Sequence, residues 1–79
     1  MSQPPSLDEI YLDLRGMHPP EPMERTLDAL EQLLLGQHVR IVIDREPVPL
    51  FRILERNDYT YRCTQSSPGL FEIVISQGK

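Results

Sequence analysis

The sequence has few cysteines and few cations, and each shortage excludes a class of protein. Cys63 is the only cysteine, so the chain cannot form an internal disulfide and suits a reducing compartment. Twelve acids against eight Lys and Arg give a formal charge of −4. Nucleic-acid binding requires an excess of cations that displace counterions. The alternative is a local basic patch, weakened because its members are interleaved with acids: Arg15, Arg40, Arg45 and Arg52.

Long apolar runs are also missing from the sequence. A membrane-spanning helix needs about 20 mostly apolar residues, and no stretch approaches that length. Residues 1–6 are polar and contain two prolines, without the basic start and apolar core of a signal peptide. We therefore expect a cytoplasmic protein that does not associate with membranes.

The length of 79 residues predicts one small domain. Residues 1–8 are rich in proline and polar side chains and are predicted to form a flexible tail. The remaining pattern places a single domain at residues 9–76. A domain of this size has a thin core, so both layers of a sheet-and-helix arrangement must contribute apolar residues.

Hydrophobic periodicity divides this domain into six elements. Alternating apolar residues predict strands over residues 9–14, 38–43, 59–64 and 70–75, the last two joined by a turn at Ser66–Gly69. Helical spacing predicts a first helix over about 20–35, with Gly36 at its C-terminal cap. A second helix begins near Pro49 and ends near Asn57. The predicted apolar stripes of the two helices are Met23, Leu27, Leu30 and Leu34, and then Leu50, Ile53 and Leu54.

The order β-α-β-α-β-β predicts an α+β fold, a two-layer sandwich of a four-stranded mixed sheet with both helices on one face. The first two strands should be parallel, with a right-handed crossover, and the last two should form an antiparallel hairpin. The second strand is apolar on both faces near its end, which favours a central position. The uncovered face, which can be solvated or can hold a partner or second copy, would carry Tyr11, Arg40, Val42, Glu72 and Val74.

Prolines mark the start of both predicted helices. The stretch RGMHPPEP at residues 15–22 follows the first strand, and DREPVPL at residues 44–50 follows the second. Proline lacks an N–H, and the first turn of a helix has no intrahelical acceptor for one, so prolines cost little there. Both corners lie at the carboxyl ends of parallel strands, where open α/β sheets bind ligands.

Charged residues of the two corners are the candidate binding residues: Arg15, His18, Glu21, Asp44, Arg45 and Glu46. The corners can bind anions through helix N-termini and arginines, or Arg15 can simply pair with Asp13, Asp44 or Glu46. A metal site from His18, Asp44 and Glu46, or acid–base chemistry at these residues, is a weaker alternative, because no recognised ligand spacing supports it. We therefore predict no metal, no cofactor and no catalytic residue.

The stretch LDLRGMHPPEP at residues 12–22 resembles the signature L-D-x-R-G-x-x-C-P-x-P of the TusA-like, or SirA-like, sulfur-carrier superfamily. That family has the predicted β-α-β-α-β-β fold. Pro19 stands where the family has its sulfur-carrying cysteine. The stretch DREPVPLFRILE at residues 44–55 resembles a TusA-related family of unknown function with proline at that position. Its members occur as lone domains or beside haemerythrin-like domains.

The resemblance implies a non-catalytic binding or accessory module that kept the carrier scaffold without the carrier cysteine. The expected partner is a protein or a small anionic ligand, and the expected state is a monomer or weak homodimer. The alternative is a sulfur-relay, redox or metal-linked protein that uses Cys63 or a His18 metal site. Cys63 lies in phase with Tyr59 and Tyr61 on a strand, where a buried, unreactive thiol is the usual case.

Overall fold

The computed structural model describes residues 8–78, so the predicted tail lies almost wholly outside the described residues. Four strands and two helices follow in the predicted order. Asp8 directly precedes the first strand, and its carbonyl accepts a hydrogen bond from the N–H of His38 at 2.8 Å. The elements are β1 (Glu9–Asp13), α1 (Glu21–Glu31), β2 (His38–Ile43), α2 (Val48–Arg56), β3 (Tyr59–Ser67) and β4 (Leu70–Gln77).

The four strands form one mixed sheet in the order β1-β2-β4-β3. β1 is parallel to β2, while β4 is antiparallel to both β2 and β3. The predicted central position of the second strand is confirmed. β1 and β3 are left as the two edges of the sheet.

Alternation along the strands separates a core face from an open face. On β2, Val39, Ile41 and Ile43 are buried, whereas the residues between them are half-buried. Both helices pack on the core face, where Leu30, Leu50 and other apolar side chains form one cluster with the sheet. The predicted two-layer α+β sandwich is confirmed.

The first helix is shorter than predicted, and its last apolar contact differs. α1 ends at Glu31, not near Leu35, and the carboxamide of Gln37 accepts the N–H of Leu34 at 2.8 Å within the following turn. Leu33 is 8% exposed, whereas Leu34 is 67% exposed. The prediction that Leu34 completes the stripe is therefore wrong, because the chain leaves the helix before that residue. Gly36 has a positive φ of 84°, but it lies in this turn and not at the helix cap.

This difference predicts unequal effects for two neighbouring leucines. We expect Leu33→Ala to lower the free energy of unfolding by about 2–4 kcal/mol, because it removes a buried side chain and leaves a cavity. Leu34→Ala should change it by less than about 0.5 kcal/mol. Urea unfolding followed by circular dichroism measures both values, and equal losses would contradict the assigned helix end.

The second half of the chain follows the prediction closely. α2 ends at Arg56, and Asn57 caps it with its backbone N–H and its side-chain amide, both donated to the carbonyl of Ile53. Leu50 and Leu54 are buried, as predicted for the helix stripe. The β3–β4 hairpin is longer than predicted, because Ser67 pairs with Leu70 and leaves a two-residue Pro-Gly turn.

Candidate functional site

The two proline corners lie side by side at the carboxyl edge of β1 and β2. The N–H of Leu14 donates to the carbonyl of Val42 at 2.8 Å, which continues the parallel pairing past β1. Beyond it, the N–H of Gly16 donates to Oδ2 of Asp44 at 2.8 Å. Gly16 has a positive φ of 78°, which suits glycine at this sharp turn. The Asp44 carboxylate therefore fixes the first corner against the second.

A pocket of about 250 Å³ opens between these corners and the first turns of both helices. Its wall is nearly all apolar. Pro19, Pro20 and Pro22 contribute from the first corner, and Pro47 and Pro49 from the second. The remaining lining residues are Met23, Thr26, Ile41, Ile43, Arg45, Glu46 and Leu50.

The first-turn amides around this pocket offer few free donors. In α2, the N–H groups of Val48, Leu50 and Phe51 all donate to backbone carbonyls, and Pro49 has no N–H. In α1, the N–H of Glu21 donates to the carbonyl of His18 at 3.0 Å, and Pro22 has none. An anion site at the helix N-termini therefore stays a prediction, with few first-turn amides left to serve it.

The buried hydroxyl on the pocket wall, that of Thr26, is also satisfied. Thr26 is fully buried, and its hydroxyl donates to the carbonyl of Pro22 at 2.9 Å, one turn earlier in the helix. Its methyl group remains to face apolar neighbours. The pocket wall therefore suits an apolar group, because most of its surface offers no replacement partner to a polar group that has lost its water.

Of the six predicted site residues, two line the pocket and four do not. Arg45 and Glu46 line the pocket, and an ion pair joins Nε of Arg45 to Oδ1 of Asp44 at 3.8 Å. His18 is exposed at the first corner. Glu21 accepts a hydrogen bond from Arg25 at 3.3 Å along the exposed face of α1.

Arg15 makes the local pairing that the sequence left open. Its Nε and one terminal nitrogen donate to the two carboxylate oxygens of Asp13 at 2.9 and 2.7 Å. These hydrogen bonds lower the pKa of Asp13 to about 2. Arg15 therefore stabilises the end of β1 and points its charge at a neighbouring acid.

The metal alternative gains no geometric support from residues 8–78. Within that range no three His, Cys, Asp or Glu side chains lie close enough together to hold a metal ion. Among its candidate ligands, Asp44 is engaged by the N–H of Gly16 and by Arg45.

Cys63 lies half-buried in the middle of β3, opposite Ile73 of β4. Burial raises the pKa of its thiol, and the negative charge of Glu46 adds to the effect. Both causes disfavour the thiolate, which is the nucleophilic form. The surroundings of this thiol therefore do not favour a sulfur relay, which needs the thiolate.

An ionic network crosses the open face of the sheet, away from the pocket. Oε1 of Glu9 lies 2.8 Å from Nε2 of His38 and accepts a hydrogen bond from Nε of Arg40 at 3.0 Å. Another nitrogen of Arg40 donates to Glu72 at 2.8 Å. The hydrogen bond from His38, followed by that from Arg40, lowers the pKa of Glu9 below its ordinary value.

Removal of Arg40 tests this network. We expect Arg40→Gln to raise the pKa of Glu9, measured by a carboxyl carbon NMR titration. Since the folded-state pKa lies below the unfolded value of 4.5, the stabilisation is present above that pH. It is lost as the pH falls through the folded pKa. An unchanged Glu9 titration in the variant would contradict the observed hydrogen bond.

Sequence reasoning located the edge but missed the apolar floor of the pocket. Thr26, Ile41 and Ile43 were assigned only to the core or to a helix interior, yet they line the cavity between the corners. The available signal was the repeated P-x-P at both helix starts, which supplies rigid apolar walls without donors. The candidate residues were instead chosen for their charge.

The chain has a SirA-like fold. A solved structure described as a SirA-like protein from Desulfitobacterium hafniense is similar to this chain with a TM-score of 0.77 and 25% sequence identity. The match covers 89% of this chain and 99% of that one. No curated protein matches the sequence.

The chain belongs to the family of uncharacterized conserved proteins DUF2249, whose model matches residues 11–77. The match spans both corners and all but the first residues of β1. Within residues 8–78, neither helix is long and apolar enough to cross a bilayer.

Proposed function

We propose that the chain is a non-catalytic binding module that accepts an apolar group of a protein partner in the proline-lined pocket. The observation that carries the proposal is the wall of this pocket, which combines five prolines with apolar side chains and a satisfied threonine. Such a wall gains free energy from excluding water and offers few partners to a polar ligand.

The charged residues of the corners then form a rim. Arg45 and Glu46 lie on the wall with opposite charges, and His18 is exposed beside it. Glu21, Asp44 and Arg15, the other predicted binding residues, belong to the same two corners but do not line the pocket. Opposite charges around an apolar centre resemble the polar rim and apolar core of protein interfaces. The rim would orient a partner, while the pocket would supply most of the affinity.

Pro19 supports a role without sulfur transfer. The resemblance of residues 12–22 to the sulfur-carrier signature puts the carrier cysteine at this position, and Pro19 lines the pocket. A proline side chain has no nucleophile. The cavity would then occupy the place of the carrier chemistry, and the module would bind where its relatives of that superfamily react.

Methyl-resolved NMR tests this proposal with two small probes. N-acetyl-leucine methylamide supplies an apolar side chain, worth about 1.5–3 kcal/mol on burial, so we expect a dissociation constant of about 6–80 mM. The methyl resonances of Met23, Ile41, Ile43 and Leu50 should shift, whereas inorganic phosphate should leave them unchanged. Val42, on the opposite face of β2, is the internal control. Shifts caused by phosphate alone would overturn the proposal in favour of an anion site.

A further inference from the structure

The sheet face opposite the helices has its own pattern of charge. At one edge, β1 presents Glu9 and Asp13 with the exposed ring of Tyr11 between them. At the other edge, β3 presents Arg62 between two threonines. Tyr11 with its paired acids and Arg62 lie at opposite sides of the sheet, because β1 and β3 are its outer strands.

The centre of this face is electrostatically satisfied. Arg40 is held by Glu9 on one side and Glu72 on the other, at 3.0 and 2.8 Å. Arg62 differs, because its guanidinium has no carboxylate partner among residues 8–78. Glu72, the acid nearest to it in the strand register, is already bonded to Arg40. A cation on β3 is therefore left for a group outside the fold.

Strand register defines how a second copy can meet this face. The open-face residues form three rows across the sheet, in the order β1, β2, β4, β3. A two-fold axis that runs parallel to the strands, between two facing sheets, places β1 of one copy over β3 of the other. Each row then lies over the same row of the other copy, with its four residues in the opposite order. The rows are Glu9, His38, Ser76 and Thr60; then Tyr11, Arg40, Val74 and Arg62; then Asp13, Val42, Glu72 and Thr64.

We infer that the chain forms a weak two-fold dimer through this open face, in which Arg62 of each copy lies over Tyr11 of the other. Tyr11 is 54% exposed, so its ring is available to a guanidinium. Glu9 and Asp13 lie on either side of that ring along β1, each already paired within the chain: Glu9 with His38 and Arg40, and Asp13 with Arg15. The same contact occurs twice by symmetry, as an isologous interface requires.

The size of the face sets the strength of this dimer. Four strands about 4.8 Å apart, counted over the roughly six residues that the three rows span, cover roughly 20 Å by 20 Å, or about 400 Å². A standard stable interface buries about 800 Å² on each partner. The dimer should therefore form at high micromolar to millimolar concentration and should weaken as salt screens its charges.

Charge reversal at Arg62 tests the interface against a matched arginine. Sedimentation velocity over a concentration series should show a rising average mass for the unaltered chain. Arg62→Glu puts like charges together and should raise the dimer dissociation constant at least about tenfold. Arg52→Glu, a reversal of another exposed arginine on α2, should leave it within about twofold.

A paramagnetic label identifies the contacting strands. A spin label is attached at position 64 of a Thr64→Cys, Cys63→Ser chain of natural isotope abundance. That chain is mixed with ¹⁵N-labelled chain that carries no spin label. Broadening should centre on residues 11–13 of β1 in the ¹⁵N copy. Broadening centred on β3 would indicate edge-to-edge pairing and overturn the inference, as would a mass that stays monomeric at millimolar concentration.

Discussion

Replacement of Met23 by tryptophan should abolish binding of the leucine probe while the fold is retained. Met23 is half-buried in the first turn of α1 and lines the pocket. An indole is larger than the thioether chain that it replaces, and a cavity of about 250 Å³ has room for it. The added ring would occupy the space that an apolar ligand needs. We expect the dissociation constant to rise at least about tenfold, the equivalent of 1.4 kcal/mol.

The matched control for this variant is Val48→Trp. Val48 lies in the first turn of α2, is 44% exposed and does not line the pocket. The Val48→Trp substitution adds the same indole close to the pocket without filling it, so probe binding should be unchanged. If Met23→Trp misfolds, Met23→Phe makes the same test with a smaller ring. Undiminished binding by a folded Met23 variant would place the site elsewhere.

Removal of the Ile41 side chain should cause the largest loss of stability. Ile41 is completely buried at the centre of β2, between both neighbouring strands and beneath the helices. Ile41→Ala should lower the free energy of unfolding by about 2–5 kcal/mol through lost burial and a new cavity. That is a large share of the stability of a domain this small.

Val42→Ala is the comparison on the opposite face of the same strand. Val42 is only half-buried, so its loss should cost about 1 kcal/mol or less. Urea unfolding at one pH gives both values. Similar losses from the two substitutions would mean that both faces of the sheet are covered, and would contradict the two-layer arrangement.

The architecture was predictable because two periodicities are clean in this sequence. Alternation of Val39, Ile41 and Ile43 specifies which face of β2 is buried, whatever the details of the loops. The end of α1 was not predictable, since Leu33 and Leu34 are equally apolar and differ only in where the helix stops. The stopping point depends on a turn closed by the Gln37 side chain, and side-chain closure leaves no periodic signal.

The sequence predicted that the two corners are neighbours, and it did not predict the apolar pocket between them. Carboxyl ends of adjacent parallel strands bring the corners together, and the bond from Gly16 to Asp44 follows from that topology. Sequence reasoning then weighted the charged residues, because charges carry recognisable chemistry. Whether a first-turn amide is free depends on its three-dimensional partner, as for Val48 and Leu50, and only the structure gives those partners.

The most direct test of the apolar pocket is an isotope-filtered NOE experiment on the unaltered chain with the leucine probe. The account predicts cross-peaks from the probe's methyl groups to the methyl groups of Ile41, Ile43 and Leu50, which lie on the pocket wall. Val42 and Val74 lie on the open face and should show none. Cross-peaks to these two valines, with none to the pocket methyls, would contradict the proposed binding site.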